Sequence, residues 1–289
     1  MNEIHRKILS ILDCDVICEL KNAENHIPES LLFHNHDGCE IYLFLNGDVN
    51  YYTESNGKKL ERGDLILTRA YAFHGSVLVS PALHDRIVIN IRESVLSGLG
   101  SPETDLSECF LRTPSCELNL LHLEEDDIRR FTELARQLQA ELLKHPWGSD
   151  VMSRALLQQL LVMIGRLTVI DRPQEYPGIM PDFLAETFSY IEDHLCEEIT
   201  LKQLAEHVHH NGTYLSRCFK KLSGASLTQY ILAKRIALAQ KLLREGHSPY
   251  DACELSGFNN YSNFSRSFSR QAGCSPREYQ KAVSGLWKK

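Results

Sequence analysis

The sequence predicts an α+β protein: a β-rich N-terminal domain, a pair of helices, and an all-α C-terminal domain made of two similar helical units joined by one long helix. Three observations carry this. Between about Ser30 and Ile91, short β-branched and aromatic runs alternate with Asn/Gly/Asp turns, whereas from Leu123 onward apolar residues recur with a helical period. Near the C-terminus one segment occurs twice. Tyr214-Leu-Ser-Arg-Cys-Phe-Lys-Lys-Leu-Ser-Gly224 is echoed 49 residues later by Asn263-Phe-Ser-Arg-Ser-Phe-Ser-Arg-Gln-Ala-Gly273, and the same offset relates Ser226 to Ser275 and Tyr230 to Tyr279. Charge is also divided. There are 17 Lys+Arg against 28 Asp+Glu before Ala185 but 14 against 10 from there on, within a net charge of -7. An acidic first half and a mildly basic second half fit a regulatory domain joined to a module that docks on nucleic acid.

The first domain spans residues 1–122. Its opening, Met1-Asn-Glu-Ile-His-Arg-Lys7, lacks the apolar stretch of a signal peptide, and the nine cysteines show no Cys-x-x-Cys spacing. Free thiols in a cytoplasmic protein are expected. Strands are expected at Glu40–Leu45, Val49–Glu54, Asp64–Thr68 and Arg86–Ile91, with turns at Asn46-Gly47-Asp48, Ser55-Asn56-Gly57 and Arg62-Gly63-Asp64. Short strands so spaced form a small barrel or a sandwich.

Residues 123–171 read as two antiparallel helices. Ile128, Phe131, Leu134, Ala135, Leu138 and Leu142 make one stripe, with Glu124-Glu-Asp-Asp127 at the favourable, N-terminal end. His145-Pro-Trp-Gly148 breaks it, and Leu156, Leu157, Leu160, Leu161 and Ile164 form the next. The pair either covers one face of the β-domain or joins two copies into a homodimer; periodicity does not separate the two. Gln158, Gln159 and Arg166 interrupt the longest apolar run, so no membrane span is expected. Residues 172–182, with three prolines and a glycine, read as a linker.

Residues 183–289 hold the duplicated units. Leu201–Val208 is a short amphipathic helix, and Asn211 is a good N-cap for a helix over Gly212–Leu222. Such tight spacing fits a helix-turn-helix whose second helix enters a DNA major groove. Leu215 and Phe219 turn inward, leaving Thr213, Ser216, Arg217 and Lys220 outward. In the second unit Pro249–Ser256 precedes a turn, Gly257–Asn260, and a helix with Phe264 and Phe268 inward and Tyr261, Ser262, Asn263 and Arg266 outward. The expected base contacts are therefore Thr213, Ser216, Arg217, Tyr261, Ser262, Asn263 and Arg266; an arginine on guanine contributes about 1–3 kcal/mol of discrimination. Lys220, Lys221 and Arg270 are placed for phosphates. A solvated bundle face would explain any one of these arginines, but not the same register between inward aromatics twice. Ser226–Arg244 reads as one connecting helix of roughly 28 Å, against about 34 Å between successive major-groove faces. The DNA is then expected to bend, or the second unit to engage imperfectly.

Ile199–Tyr279 resembles the AraC/XylS family of bacterial transcription regulators. Leu204-Ala205…Tyr214-Leu-Ser-Arg217-x-Phe219-Lys220-Lys221…Gly224 is similar to the family's first unit. Gly257-Phe258…Phe264-Ser-Arg266-x-Phe268…Gly273-x-Ser-Pro276-x-x-Tyr279 is similar to its second. Gly212 stands where the family often has proline, Cys253 where alanine is usual, and Ser269-Arg270 where Lys-Lys is common; Ser269 removes one phosphate contact. In the first half, His34-x-His36-x-x-x-Glu40 followed by Gly47 resembles the first motif of the cupin barrel. Gly63 and His74 fit the second, with Arg69 and Tyr71 in place of its proline and glycine.

These resemblances imply a cupin-like sensor domain in which His34, His36, Glu40 and His74 either hold a divalent metal (Zn, Mn, Fe or Ni) or line a metal-free effector pocket. Arg69 and Arg86, read from the sequence alone, either lie at the surface, as most arginines do, or hold a carboxylate or phosphate effector. The implied function is a one-component, sequence-specific regulator. Its partners would be double-stranded promoter DNA, a small-molecule effector such as a sugar or related metabolite, and a second copy in a homodimer, with RNA polymerase left open. The alternative is a metal-dependent cupin enzyme carrying an accessory DNA-binding domain. No further general acid or base is identifiable, so a non-enzyme is expected.

Overall fold

In the strand Gly38–Asn46, alternate residues face two different apolar environments, so nearly the whole strand is buried. This strand organises the first half of the computed structural model, which describes residues 15–23, 33–80, 84–113, 117–170 and 178–286. The described residues fall into two compact units, within Ser10–Met180 and within Pro181–Lys289.

The first unit contains β1 (Val16–Ala23), β2 (Gly38–Asn46), β3 (Val49–Thr53), β4 (Gly57–Lys59), β5 (Asp64–Thr68), β6 (His74–Leu78), β7 (His84–Arg92) and β8 (Leu120–His122). All pairings are antiparallel, in a five-stranded sheet ordered β1-β7-β2-β5-β8 and a three-stranded sheet ordered β4-β3-β6. Period-two alternation sorts β2 into its two cores. Cys39, Ile41 and Leu43 pack with Leu65, Leu67, Ile87 and Ile89 on one face. Tyr42 and Phe44 pack with Ile66 and Val88, and with Val49 and Tyr51 of the smaller sheet, on the other. The four expected strands are present. β1, β4, β6 and β8 were not anticipated, because β4 and β8 are three residues long and β6 opens His-Gly. Gly63 has φ +95, and a Cβ there would collide with the Leu123 carbonyl, so the turn into β5 requires glycine.

A short helix α1 (Glu93–Leu96) follows β7. Then α2 (Glu125–Lys144) carries Glu125, Asp126 and Asp127 in its first turn, where the helix dipole favours them. It ends at His145 in the left-handed region, and α3 (Ser149–Ile170) follows. The buried stripes of both helices join the outer face of the larger sheet in one core. Cys18 Sγ donates to Ala135 O at 3.3 Å, and Gln139 Nε2 to Cys18 O at 3.4 Å, tying α2 to β1. Covering the β-domain is thus one role this pair performs. The described cysteines are free; burial pushes the Cys39 thiol up to about 11 and those of Cys18 and Cys109 up to about 12.

Residues 172–177 of the expected linker lie outside the described residues. The second unit comprises α4 (Asp182–Asp193), α5 (Leu201–His207), α6 (Gly212–Ser223), α7 (Leu227–Arg244), α8 (Pro249–Leu255), α9 (Tyr261–Ala272) and α10 (Pro276–Leu286). Local chemistry sets the boundaries. Thr200 with Gln203, Ser226 with Gln229, and Ser248 with Asp251 form capping boxes, while Gly224 (φ 72) and Gly273 (φ 75) end the two repeated helices. Among the described residues, no helix is long and apolar enough to cross a membrane.

Candidate nucleic-acid interface and buried histidine–carboxylate cluster

The rotation of α6 and α9 about their axes is set by what each buries. Leu215 and Phe219 are fully buried, Phe219 lying 4.9 Å from Phe188 of α4 and 5.3 Å from Tyr230 of α7 between ring centroids. Phe264 and Phe268 are fully buried too, with Phe268 5.5 Å from Tyr279 of α10. Thr213, Arg217, Lys220 and Lys221 are consequently exposed, as are Tyr261, Ser262, Asn263, Arg266 and Arg270. Ser216 is half-buried, which leaves it less available than its neighbours.

Arg217 lies over the Tyr214 ring at 5.6 Å. Arg266 donates from Nη2 to Asn263 Oδ1 at 2.5 Å and from Nε to Ser262 O at 3.3 Å, so these three expected contact residues form one hydrogen-bonded set. Asn211 Oδ1 accepts from Thr213 N (2.9 Å) and Tyr214 N (3.3 Å), and Asn260 Oδ1 from Asn263 N (3.0 Å), fixing the start of each helix. The connecting helix α7 has 18 residues, about 27 Å at ~1.5 Å each. Sequence reasoning missed α4 and α10. Leu184, Thr187, Phe188 and Ile191 carry a helical period that could have found α4, and Ser275-x-x-Glu278 is a capping signal for α10.

The second site lies inside the β-unit. His34, His36, Glu40 and His74 each offer one ligand atom, all within 4.8 Å of one another. Two elements bring them together. Glu40 is in β2, directly opposite Asn90 of β7 and Thr68 of β5, whereas His74 opens β6 and bridges to His34 through a reciprocal backbone pair at 2.9 and 3.1 Å. The cluster therefore ties one sheet to the other. His36 Nε2 approaches Glu40 Oε2 at 3.3 Å and His74 Nε2 approaches Oε1 at 3.4 Å. His36 Nδ1 contacts Gly38 O at 2.8 Å and His74 Nδ1 contacts Ala72 O at 2.9 Å. A carbonyl only accepts, so each Nδ1 carries the proton and donates it; in the neutral rings both Nε2 lone pairs are then turned toward the carboxylate.

Neither buried Nε2 makes a hydrogen bond of good geometry. Burial alone would raise the Glu40 carboxyl, but the His74 and His36 imidazoles beside it hold it well below the usual carboxylate range. Burial would lower His74, and Glu40 outweighs that to raise it. Three imidazoles and one carboxylate, two of the imidazoles oriented by backbone carbonyls, with orphaned lone pairs converging on an anion, are a donor set that fits a divalent cation.

Beside this cluster the Tyr51 ring stacks on His74 at 6.1 Å, and its hydroxyl is 3.3 Å from Thr68 Oγ1. Tyr42 lies 5.3 Å from Tyr51 and places its hydroxyl 2.7 Å from His84 Nε2. Burial, then the charges of Arg86 and Lys21, lower His84 to about 3 and keep it neutral. No motif in the sequence pointed to Tyr42, Tyr51, His84 or Asn90. Arg69 is engaged elsewhere, donating to the carbonyls of Phe110 (2.9 Å) and Thr113, and half-buried Arg86 donates to His84 O at 3.2 Å.

The family model for the helix-turn-helix domain matches residues 204–282. YobQ of Bacillus subtilis, an uncharacterized HTH-type transcriptional regulator, is 37% identical over 98 residues, which cover 34% of this chain and 41% of YobQ; the match thus spans less than half of that relative's length. YbfI of the same organism, also described as an uncharacterized HTH-type transcriptional regulator, is 32% identical over 241 residues and 80% of each chain. The HTH-type transcriptional activator RhaR of Yersinia pseudotuberculosis is 24% identical over 270 residues, 89% of this chain and 87% of RhaR.

Proposed function

Because this chain belongs to the AraC-type family of helix-turn-helix transcription regulators, we propose that it reads a specific promoter sequence through α6 and α9 and that a small-molecule effector in the β-unit controls that reading. The observation that carries the proposal is the repeated geometry. Two helices of the same length bury paired residues at the same register and expose Arg217 and Arg266 at equivalent positions. Thr213, Ser216, Arg217, Tyr261, Ser262, Asn263 and Arg266 serve as base contacts, and Lys220, Lys221 and Arg270 as phosphate contacts. The test is binding to a duplex selected from a random library by the full chain. Arg217→Ala and Arg266→Ala each relax base preference in one half of the site, and Lys220→Ala weakens all sequences alike while flattening the salt dependence. Equal losses on selected and random DNA for both arginines would remove the base-contact assignment.

The effector, a sugar or related metabolite, acts only if it favours one arrangement of the protein over another; tight binding by itself shifts nothing. His34, His36, Glu40 and His74 hold a divalent cation at this site, a reading supported by the two orphaned Nε2 atoms. A bound cation supplies a Lewis-acid position for an effector oxygen. The chain's own part is to fix the imidazoles through Gly38 and Ala72 and to wall the site with Tyr51.

Sensing is favoured over catalysis because the cluster alone supports an enzyme, whereas the duplicated helices have no role in one. Metal analysis followed by Glu40→Gln separates them. Loss of effector response with DNA binding intact supports the sensor, and loss of turnover of a substrate supports a cupin-type enzyme. A homodimer through the helical pair is supported by Leu143, Trp147, Val151 and Met152, large apolar side chains exposed around its turn. RNA polymerase is a further partner of such a regulator acting on cytoplasmic promoter DNA.

A further inference from the structure

The two repeated units differ in a way that their shared pattern conceals. Residues 200–224 carry Lys202, Arg217, Lys220 and Lys221 against Glu206 alone, a net charge of +3, and include His207, His209 and His210. The equivalent residues 249–273 carry Arg266 and Arg270 against Asp251 and Glu254, a net charge of zero, with no histidine. A phosphate backbone is held chiefly by cations, so the second unit has far less electrostatic grip than the first.

What the second unit has instead is a pair of tyrosines. Tyr250 of α8 and Tyr261 of α9 stack with ring centroids 6.4 Å apart and planes 19° from parallel, yet remain 60% and 40% exposed. The 49-residue offset places Leu201 and Gly212 at the same two positions of the first unit. There, a Cβ on Gly212 would already meet Leu201 Cγ at 3.4 Å. The exchange is therefore paired: a leucine over a glycine in the charged unit, an aromatic ring over an aromatic ring in the neutral one. Tyr261 is also fixed from beneath by Phe264, 5.8 Å away, and is followed in sequence by exposed Ser262 and Asn263, which hydrogen-bond to Arg266. The aromatic pair is thus continuous with the face assigned to base reading.

We propose that Tyr250 and Tyr261 form a neutral clamp on the DNA backbone, their hydroxyls donating to phosphate oxygens and their rings packing on the sugars. This rests on the DNA-binding reading above, moves Tyr261 from the base contacts to the backbone contacts, and adds Tyr250, which lies outside α9, to the interface. A neutral donor displaces no condensed counterion, so the second unit, with Arg270 as its one assigned phosphate cation, holds the duplex with a shallower salt dependence than the first, which has Lys220 and Lys221.

The test is fluorescence anisotropy of the full chain on its selected duplex across a salt series. Tyr250→Ala and Tyr261→Ala each lower affinity about ten- to a hundredfold, the size of a lost hydrogen bond to a charged group, at every salt concentration, with the slope of log affinity against log salt unchanged. Lys220→Ala reduces that slope by about 0.9. Tyr250→Phe with Tyr261→Phe keeps the stack and the fold and still loses affinity, because the donors are gone; thermal melting of each variant confirms that the unit remains folded. Three results overturn the clamp. The alanine variants bind as tightly as the parent; they change the slope as Lys220→Ala does; or they leave DNA affinity intact while abolishing transcription by polymerase, which would make the pair a protein-docking face. If the parent chain selects no duplex at all, it is the DNA-binding reading that fails.

Discussion

Replacing Phe268 by alanine should release the second reading unit while sparing the first. Phe268 is fully buried among Phe264, Tyr279, Ala272 and the C-terminal half of α7, through Ile236, Ala239 and Leu243. The ring pinning α6, Phe219, packs instead on Phe188 and on Tyr230, in the N-terminal half of the same helix. Each unit thus has its own aromatic core on a different stretch of one rod. Truncating a buried phenylalanine costs about 3–5 kcal/mol, a factor of roughly 10² to 10⁴ in a folding equilibrium, against total domain stabilities of about 5–15 kcal/mol. The second unit should become marginal without the first unfolding. Hydrogen exchange would show amides of α8, α9 and α10 losing protection while those of α5 and α6 keep theirs. Footprinting would show the half-site read by Arg266 vanish and that read by Arg217 persist. Uniform loss of protection in both units, or a destabilisation below about 1 kcal/mol, would refute the independence of the two cores.

Three further outcomes are expected. Asn211→Ala removes the side-chain acceptor for Thr213 N and Tyr214 N and should cost about 1 kcal/mol of stability, read by thermal melting, together with weaker binding at the half-site of α6. Adding Zn, Ni or Mn to chelator-treated protein should raise the melting temperature of the β-unit, by the equivalent of about 2.7 kcal/mol at a hundredfold excess over Kd; Glu40→Gln should abolish the shift, and no shift in the parent would remove the metal. His84 titrates near 3 in the fold against 6.5 ordinarily, so the unfolded chain binds the extra proton between those values. Stability should therefore be intact above about pH 6.5 and decline as pH falls toward 3, by at most about 1.4 kcal/mol per pH unit for this one group; a His84→Gln variant whose acid unfolding curve overlays the parent's would contradict this.

Much of the second unit was legible in the sequence because its signals are local. Asn211, Ser226 and Asn260 cap helices within three residues of themselves, and the four-residue spacing of Leu215 and Phe219 sets which face of α6 is buried. The first unit was legible only in part. The turns at Gly47, Gly57 and Gly63 located four strands, but β1 finds its partner β7 across some seventy residues, Val16 opposite Ile91, and no local pattern encodes that pairing. The histidine motif named four residues without deciding whether they meet. Tyr42 and Tyr51 read as ordinary strand aromatics until the two sheets face each other.

The sequence by itself determined the duplicated helical module, which faces of its two repeated helices are buried and which exposed, and the family to which it belongs, because caps, periods and repeats act over a few residues. Tertiary structure alone decided that the helical pair covers the sheet, that His74 arrives beside Glu40 from a different sheet, and that Tyr250 lies against Tyr261. Those contacts follow from strand pairing and helix packing between residues distant along the chain, where the free energy of burial rather than local preference selects the neighbour.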